Sequence, residues 1–127
     1  MSARVVQRYV LDDIADPRLR VYMVWGPMLD KETEADARHA TTFIQDPRLT
    51  HFWTDSDGVA ERFKAPLGLT DTDAWDTFLL FSPGTRWTEE APRPSSFMHV
   101  GKPLPKERRL NAVTLAAEVR AALAGAP

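Results

Sequence analysis

The chain has 127 residues with 16 Lys and Arg against 18 Asp and Glu, a net charge of −2, and no cysteine. A length of this order buries about two thirds of its unfolded surface in one core, so a single domain is expected without staples. The near-neutral balance argues against a nucleic-acid backbone or an anionic membrane surface as partner. The missing thiols exclude disulfides, thiolate nucleophiles, thiolate zinc sites and iron–sulfur clusters. No run approaches the ~18 apolar residues of a membrane span, and MSARVVQRYV has no apolar signal-peptide core. A cytoplasmic location is therefore expected.

No internal repeat or linker is read from the chain, and its ten prolines punctuate element ends. Arg4 to Ile14 places Val6, Tyr9, Val10 and Ile14 at helical offsets before Asp16-Pro17. Leu19 to Trp25 is β-branched and aromatic-rich and stops at Gly26-Pro27, which predicts a buried strand. From Asp30 to Ile44 the period becomes helical, with Asp30 or Thr33 as cap and Ala37, Ala40 and Ile44 in one stripe. Leu49 to Trp53 predicts a second strand. Ser56 or Asp57 then caps a helix with Val59 and Phe63 on one face, broken by Pro66 and Gly68.

Thr77 to Phe81 is a continuous apolar run of the kind buried on both faces, and Ser82-Pro83-Gly84 is expected to turn it back as a hairpin onto Thr85-Arg86-Trp87. After a polar loop, Phe97 to Val100 is a candidate last strand. Leu110 to Leu123 forms an amphipathic helix burying Ala112, Leu115, Ala116, Val119 and Leu123.

Strands that alternate with helices and then close with a hairpin and a helix imply an α/β domain with a central mixed β-sheet flanked by helices. That order resembles the thioredoxin-like family. Trp25-Gly26-Pro27-Met28 is similar to a WCGPC active-site turn with both cysteines missing. The segment DSDGVAERFKAPLGL, Asp55 to Leu69, resembles the acidic turn, second helix and loop of thioredoxins. TFLLFSPG, from Thr77, looks like the strand and turn after the family's cis-proline, and Val100-Gly101-Lys102 like the lead into its last helix. The resemblance implies one domain over 1–127, with 1–18 an N-terminal helical extension and 19–123 the core. Asp76 stands where the family's cis-proline would be, so both elements of the redox site are gone and dithiol exchange is excluded.

The remodelled turn is the first candidate site. In this fold it sits at a strand end and helix N-terminus, where free N–H groups favour an anion; the alternative is that Trp25 and Met28 fill core space around a Gly26-Pro27 turn. Trp75 and Asp76 would lie beside it. A buried Asp76 carboxylate would serve as a general acid or base, and otherwise it caps a turn. His39, His51 and His99 show no metal-ligand spacing, and a soft site from Met98, His99 and Met28 would need the fold to gather them, so no metal or cofactor is expected. Trp25, Trp53, Trp75 and Trp87 line a partner surface or fill the core. Lys102 to Arg109, KPLPKERR, meets an acidic partner or is a solvated loop.

The reading that joins these residues is a non-redox binding or accessory protein, with Trp25, Gly26, Pro27, Met28, Trp75 and Asp76 facing an unknown protein or small-molecule ligand. Its rivals are a non-redox enzyme using Asp76 and a soft-metal carrier using Met and His. A flat apolar patch favours the binding protein, and a concave pocket around Asp76 the enzyme. Oligomeric state is left open.

Overall fold

The computed structural model describes residues 2–26, 33–55, 58–70, 74, 76–100 and 105–126. The chain opens with helix α1, Ser2–Val5, which continues as a widened π-helical turn over Val6–Leu11. The widening is visible in the Asp12 N–H, which donates to the Gln7 carbonyl five residues back at 2.8 Å. Every fourth residue, Val6, Val10 and Ile14, is buried, and Leu11 joins them, whereas Tyr9 is only half-buried.

Strand β1, Val21–Trp25, pairs in parallel with β2, Leu49–Trp53, in the register Val21↔Leu49 to Trp25↔Trp53. The crossover between them carries α2, Glu34–Thr41, begun by a capping box. The Thr33 hydroxyl accepts from the Asp36 N–H at 3.3 Å, and the Asp36 carboxylate accepts from the Thr33 N–H at 2.9 Å. The Thr33 N–H, and then the Thr33 hydroxyl that donates to the same carboxylate at 2.9 Å, hold the Asp36 carboxyl below the usual range. Of the two expected caps Thr33 is used, while Asp30 lies outside the described residues.

Helix α3, Gly58–Arg62, and helix α4, Lys64–Leu67, follow, their break falling at Phe63. Pro66 therefore sits inside α4 rather than ending a helix, which is tolerated because a first-turn N–H has no intrahelical acceptor. Gly68 ends α4 in the left-handed conformation at φ +69°. Ser56 and Asp57, the expected caps, lie outside the described residues.

Strand β3, Thr77–Leu80, pairs antiparallel with β4, Ser96–His99, from Thr77↔His99 to Leu80↔Ser96. This corrects the hairpin expected with Thr85-Arg86-Trp87. The Thr85 N–H and hydroxyl both return to the Ser82 carbonyl and close a local turn, but no strand follows it. Instead Trp87 packs edge-on against Phe63 at 5.2 Å, so the ring is spent on the junction of α3 and α4. β3 is half-buried along its length and not enclosed on both faces. A short 3₁₀ turn, Lys106–Arg108, and helix α5, Ala112–Ala124, complete the chain, with the Asn111 side chain capping α5 through the Thr114 N–H.

The architecture is thus mixed α/β, with two two-stranded sheets among the described residues in place of the single central sheet expected. One apolar core joins them. Val6, Val10, Leu11, Ile14, Met98, Leu115, Ala116 and Val119 are buried together, flanked by Val21, Met23, Leu49, Phe78 and Leu80. The residues expected as an extension therefore supply part of the core itself.

Two chain entries are built alike. Ile14-Ala15-Asp16-Pro17-Arg18-Leu19 precedes β1 and Ile44-Gln45-Asp46-Pro47-Arg48-Leu49 enters β2, an I-x-D-P-R-L repeat that corrects the expectation of none. In each, the Asp carboxylate accepts the N–H of the Arg two residues on, at 2.9 Å, and the Asp carbonyl accepts the N–H of the Leu. Each arginine then reaches a helix end. Arg18 donates to the Leu123 and Ala126 carbonyls at the end of α5. Arg48 donates to the carbonyls of Leu11 and Ile14, where the first helix ends, and to the Asp16 carbonyl beyond them. The side-chain bonds from Arg18 and Arg48 hold the Asp16 and Asp46 carboxyls down at about 2 each.

Candidate functional site

Trp25 ends β1 opposite Trp53, and its carbonyl accepts the Thr54 N–H at 2.8 Å. Its indole N–H donates to His51 Nδ1 at 3.0 Å, and His51 Nε2 lies 3.0 Å from the Ile44 carbonyl. With Nδ1 accepting from the indole, Nε2 is left to donate to the carbonyl, so both ring nitrogens are engaged. Trp25, Met23 and Val21 face inward with His51 and Leu49, and Gly26 is half-buried at the start of the turn. Pro27, Met28 and Trp75 lie outside the described residues.

Asp76 is exposed and has φ +48°, the only non-glycine in the left-handed region among the described residues. Its carbonyl accepts the Val100 N–H at 3.2 Å, joining the start of β3 to the end of β4. No hydrogen bond or ring contact among the described residues joins Asp76 to Trp25. The described parts of the expected cluster are therefore a core-anchored tryptophan and a surface turn.

The opposite face of the first sheet was not anticipated. Strict alternation turns Tyr22, Val24, Thr50 and Phe52 outward, with Tyr22 64%, Val24 48% and Phe52 50% exposed. The patch is continuous, because Val24 stands opposite Phe52 and the Tyr22 and Phe52 rings lie 6.1 Å apart. This corrects the buried-strand expectation for Leu19 to Trp25. The apolar run Val21 to Trp25 reads as buried on both faces, and among the described residues no helix covers the second.

Two open cavities lie among the described residues. One of about 230 Å³ lies under the end of α2, lined by Thr41, Ile44, Gln45, Asp46, Leu49 and His51. The other, about 320 Å³, lies between α4 and the entry to β4, with Arg93 and Arg108 on its rim. Among the described residues no group of three or more His, Asp or Glu is placed to hold a metal ion. His51 is engaged at both nitrogens, and His99 is fully buried with Nε2 on the Pro105 carbonyl at 2.8 Å and Nδ1 unpaired. His39 is exposed on α2, 5.4 Å edge-on from Phe43. No described helix is long and apolar enough to cross a membrane.

Comparison with known proteins finds no matching family model, no matching curated protein and no matching solved structure.

Proposed function

We propose that this chain is a non-redox binding or accessory protein on a thioredoxin-like plan, and that it recognises an amphipathic helical segment of a protein partner. The observation that carries the reading is the exposed Tyr22, Val24 and Phe52 face of a parallel strand pair. Parallel strands are ordinarily covered by helices on both faces, so the bare face has the shape and chemistry for one more helix. Three large apolar side chains at this exposure make a patch of a few hundred Å², the scale that marks interaction surfaces. It is well short of the ~800 Å² per partner of a stable globular interface, which favours a single helix over a second copy of the chain. The parallel pair with its crossover helix and the later antiparallel pair support the thioredoxin-like plan. The exposed setting of Asp76 favours binding over acid–base chemistry.

The test is capture from a lysate of the source cells with the parent and with a Tyr22→Asp, Phe52→Asp variant, followed by binding of the purified partner. The reading expects a partner lost by the variant, and protection from hydrogen exchange in one helix of that partner and in β1 and β2. Equal binding by the variant and the parent, or protection elsewhere, would refute it. Unchanged thermal unfolding of the variant is expected, since both side chains are already half or more exposed.

A further inference from the structure

We infer that the cavity between α4 and the entry to β4 is a binding site for a compact organic anion, a carboxylate or phosphate group on an apolar body. Its walls are Ala65, Pro66 and Leu67 of α4 on one side and Pro94 and Phe97 on the other. At about 320 Å³ it has the capacity of a small-ligand site. The charge is supplied by Arg93 and Arg108, and the described lining residues include no carboxylate. Neither guanidinium belongs to the ion pairs formed among the described residues. The Glu118 carboxylate accepts the hydroxyl of the lining residue Ser96 at 2.8 Å.

Both arginines are carried on fixed backbone. The Ser95 N–H and hydroxyl both donate to the Leu80 carbonyl, which pins the segment behind Arg93 to the end of β3. The turn that bears Arg108 is tied to β4 twice, by His99 Nε2 on the Pro105 carbonyl and by the Leu110 N–H on the His99 carbonyl at 2.8 Å. The Arg108 guanidinium lies 4.9 Å from the Phe97 ring centroid, which restrains it at the rim while leaving its N–H forks unspent. The backbone beneath both arginines is set, and two planar forks beside the side chains of Pro66, Leu67 and Phe97 suit an oxyanion with a hydrophobic tail. Of the described part of the basic run, residues 105–109, only Arg108 lines the cavity.

The test is a titration at low ionic strength with benzoate and phenyl phosphate, and with acetate and inorganic phosphate as tail-less controls, followed by backbone amide shifts. Saturable shifts confined to Gly68, Ser95, Ser96, Phe97 and Arg108 are expected, with the aromatic anions binding more tightly than the controls. Preference for phenyl phosphate would assign phosphate esters and the reverse carboxylates. Arg93→Gln and Arg108→Gln should each weaken binding at least about fivefold, while Arg120→Gln on the exposed side of α5 leaves it unchanged. Should Arg108→Gln unfold the chain, Arg93→Gln decides alone. Shifts that fail to saturate, that spread over the surface, that respond equally to Arg120→Gln, or that are as strong with acetate and inorganic phosphate would overturn the assignment.

Discussion

Arg48 shows how one side chain ties together what the backbone leaves loose. Its guanidinium serves three carbonyls at and just beyond the end of the first helix and the Asp46 carboxylate, with side-chain exposures of only 12% and 14% for the pair. Arg48→Met removes those donors and strands the acceptors in a half-buried place, so a loss of about 2–3 kcal/mol is expected in urea unfolding. Arg38→Ala, which breaks only the exposed pair with Glu34, should cost under about 0.5 kcal/mol. The same clasp makes stability depend on acid. Asp46 has its pKa lowered from 3.8 to about 2 by Arg48, so its contribution is complete above about pH 4 and is lost as pH falls through 2. Asp46→Asn should be less stable than the parent at pH 7 and should flatten the stability profile between pH 4 and 2. A variant whose profile parallels the parent's would show that the pair does not govern that window. At Asp76 the left-handed backbone predicts a different order: Asp76→Asn unchanged in thermal midpoint, and Asp76→Val destabilised by about 1–2 kcal/mol.

The elements differ in how visibly the sequence writes them. β2 is legible because Leu49 to Trp53 is bounded by Asp46-Pro47 and by polar residues, and α5 because Leu115, Ala116 and Val119 fall on one stripe. The partner of β3 was not legible. Ser82-Pro83-Gly84 has the chemistry of a tight hairpin, but strand pairing is decided by what can pack beneath, and Phe97 and Met98 supply that where Thr85 and Arg86 do not. The I-x-D-P-R-L repeat was legible as letters, and its use as two arginine clasps was not, because the carbonyls they serve are contributed by distant helix ends. The site divides in the same way. Trp25 was visible as a large residue at a strand end, while its bond to His51 depends on strand register. α2 buries none of its residues, whereas α5 buries Leu115, Ala116 and Val119. Amide hydrogen exchange should therefore be fast throughout α2 and slowest in the middle of α5. Equal protection of the two helices would mean that α2 is held by contacts other than burial.

At the scale of the molecule the decisive feature is where the core begins. Val6, Val10, Leu11 and Ile14 form half of the buried cluster, packed with Met98 of β4 and with Leu115, Ala116 and Val119 of α5. Burying side chains of this kind stabilises a fold by about 1.5–3 kcal/mol each, so the four together contribute on the order of 6–12 kcal/mol before the entropy of ordering the helix is subtracted. That is comparable with the whole ~5–15 kcal/mol by which a domain exceeds its unfolded chain. Removing residues 1–14 would also expose the α5 face that they cover and leave Arg48 without the Leu11 and Ile14 carbonyls. The expected outcome is that a chain beginning at Ala15 does not fold cooperatively: its thermal unfolding lacks a sigmoidal transition and its amide resonances are poorly dispersed. Adding residues 2–14 as a separate peptide should restore part of the transition, because the groove that receives them is formed by α5 and β4 and not by the helix itself. A truncated chain with the parent's midpoint would show that residues 19–123 are self-sufficient and that the first helix is only laid upon them.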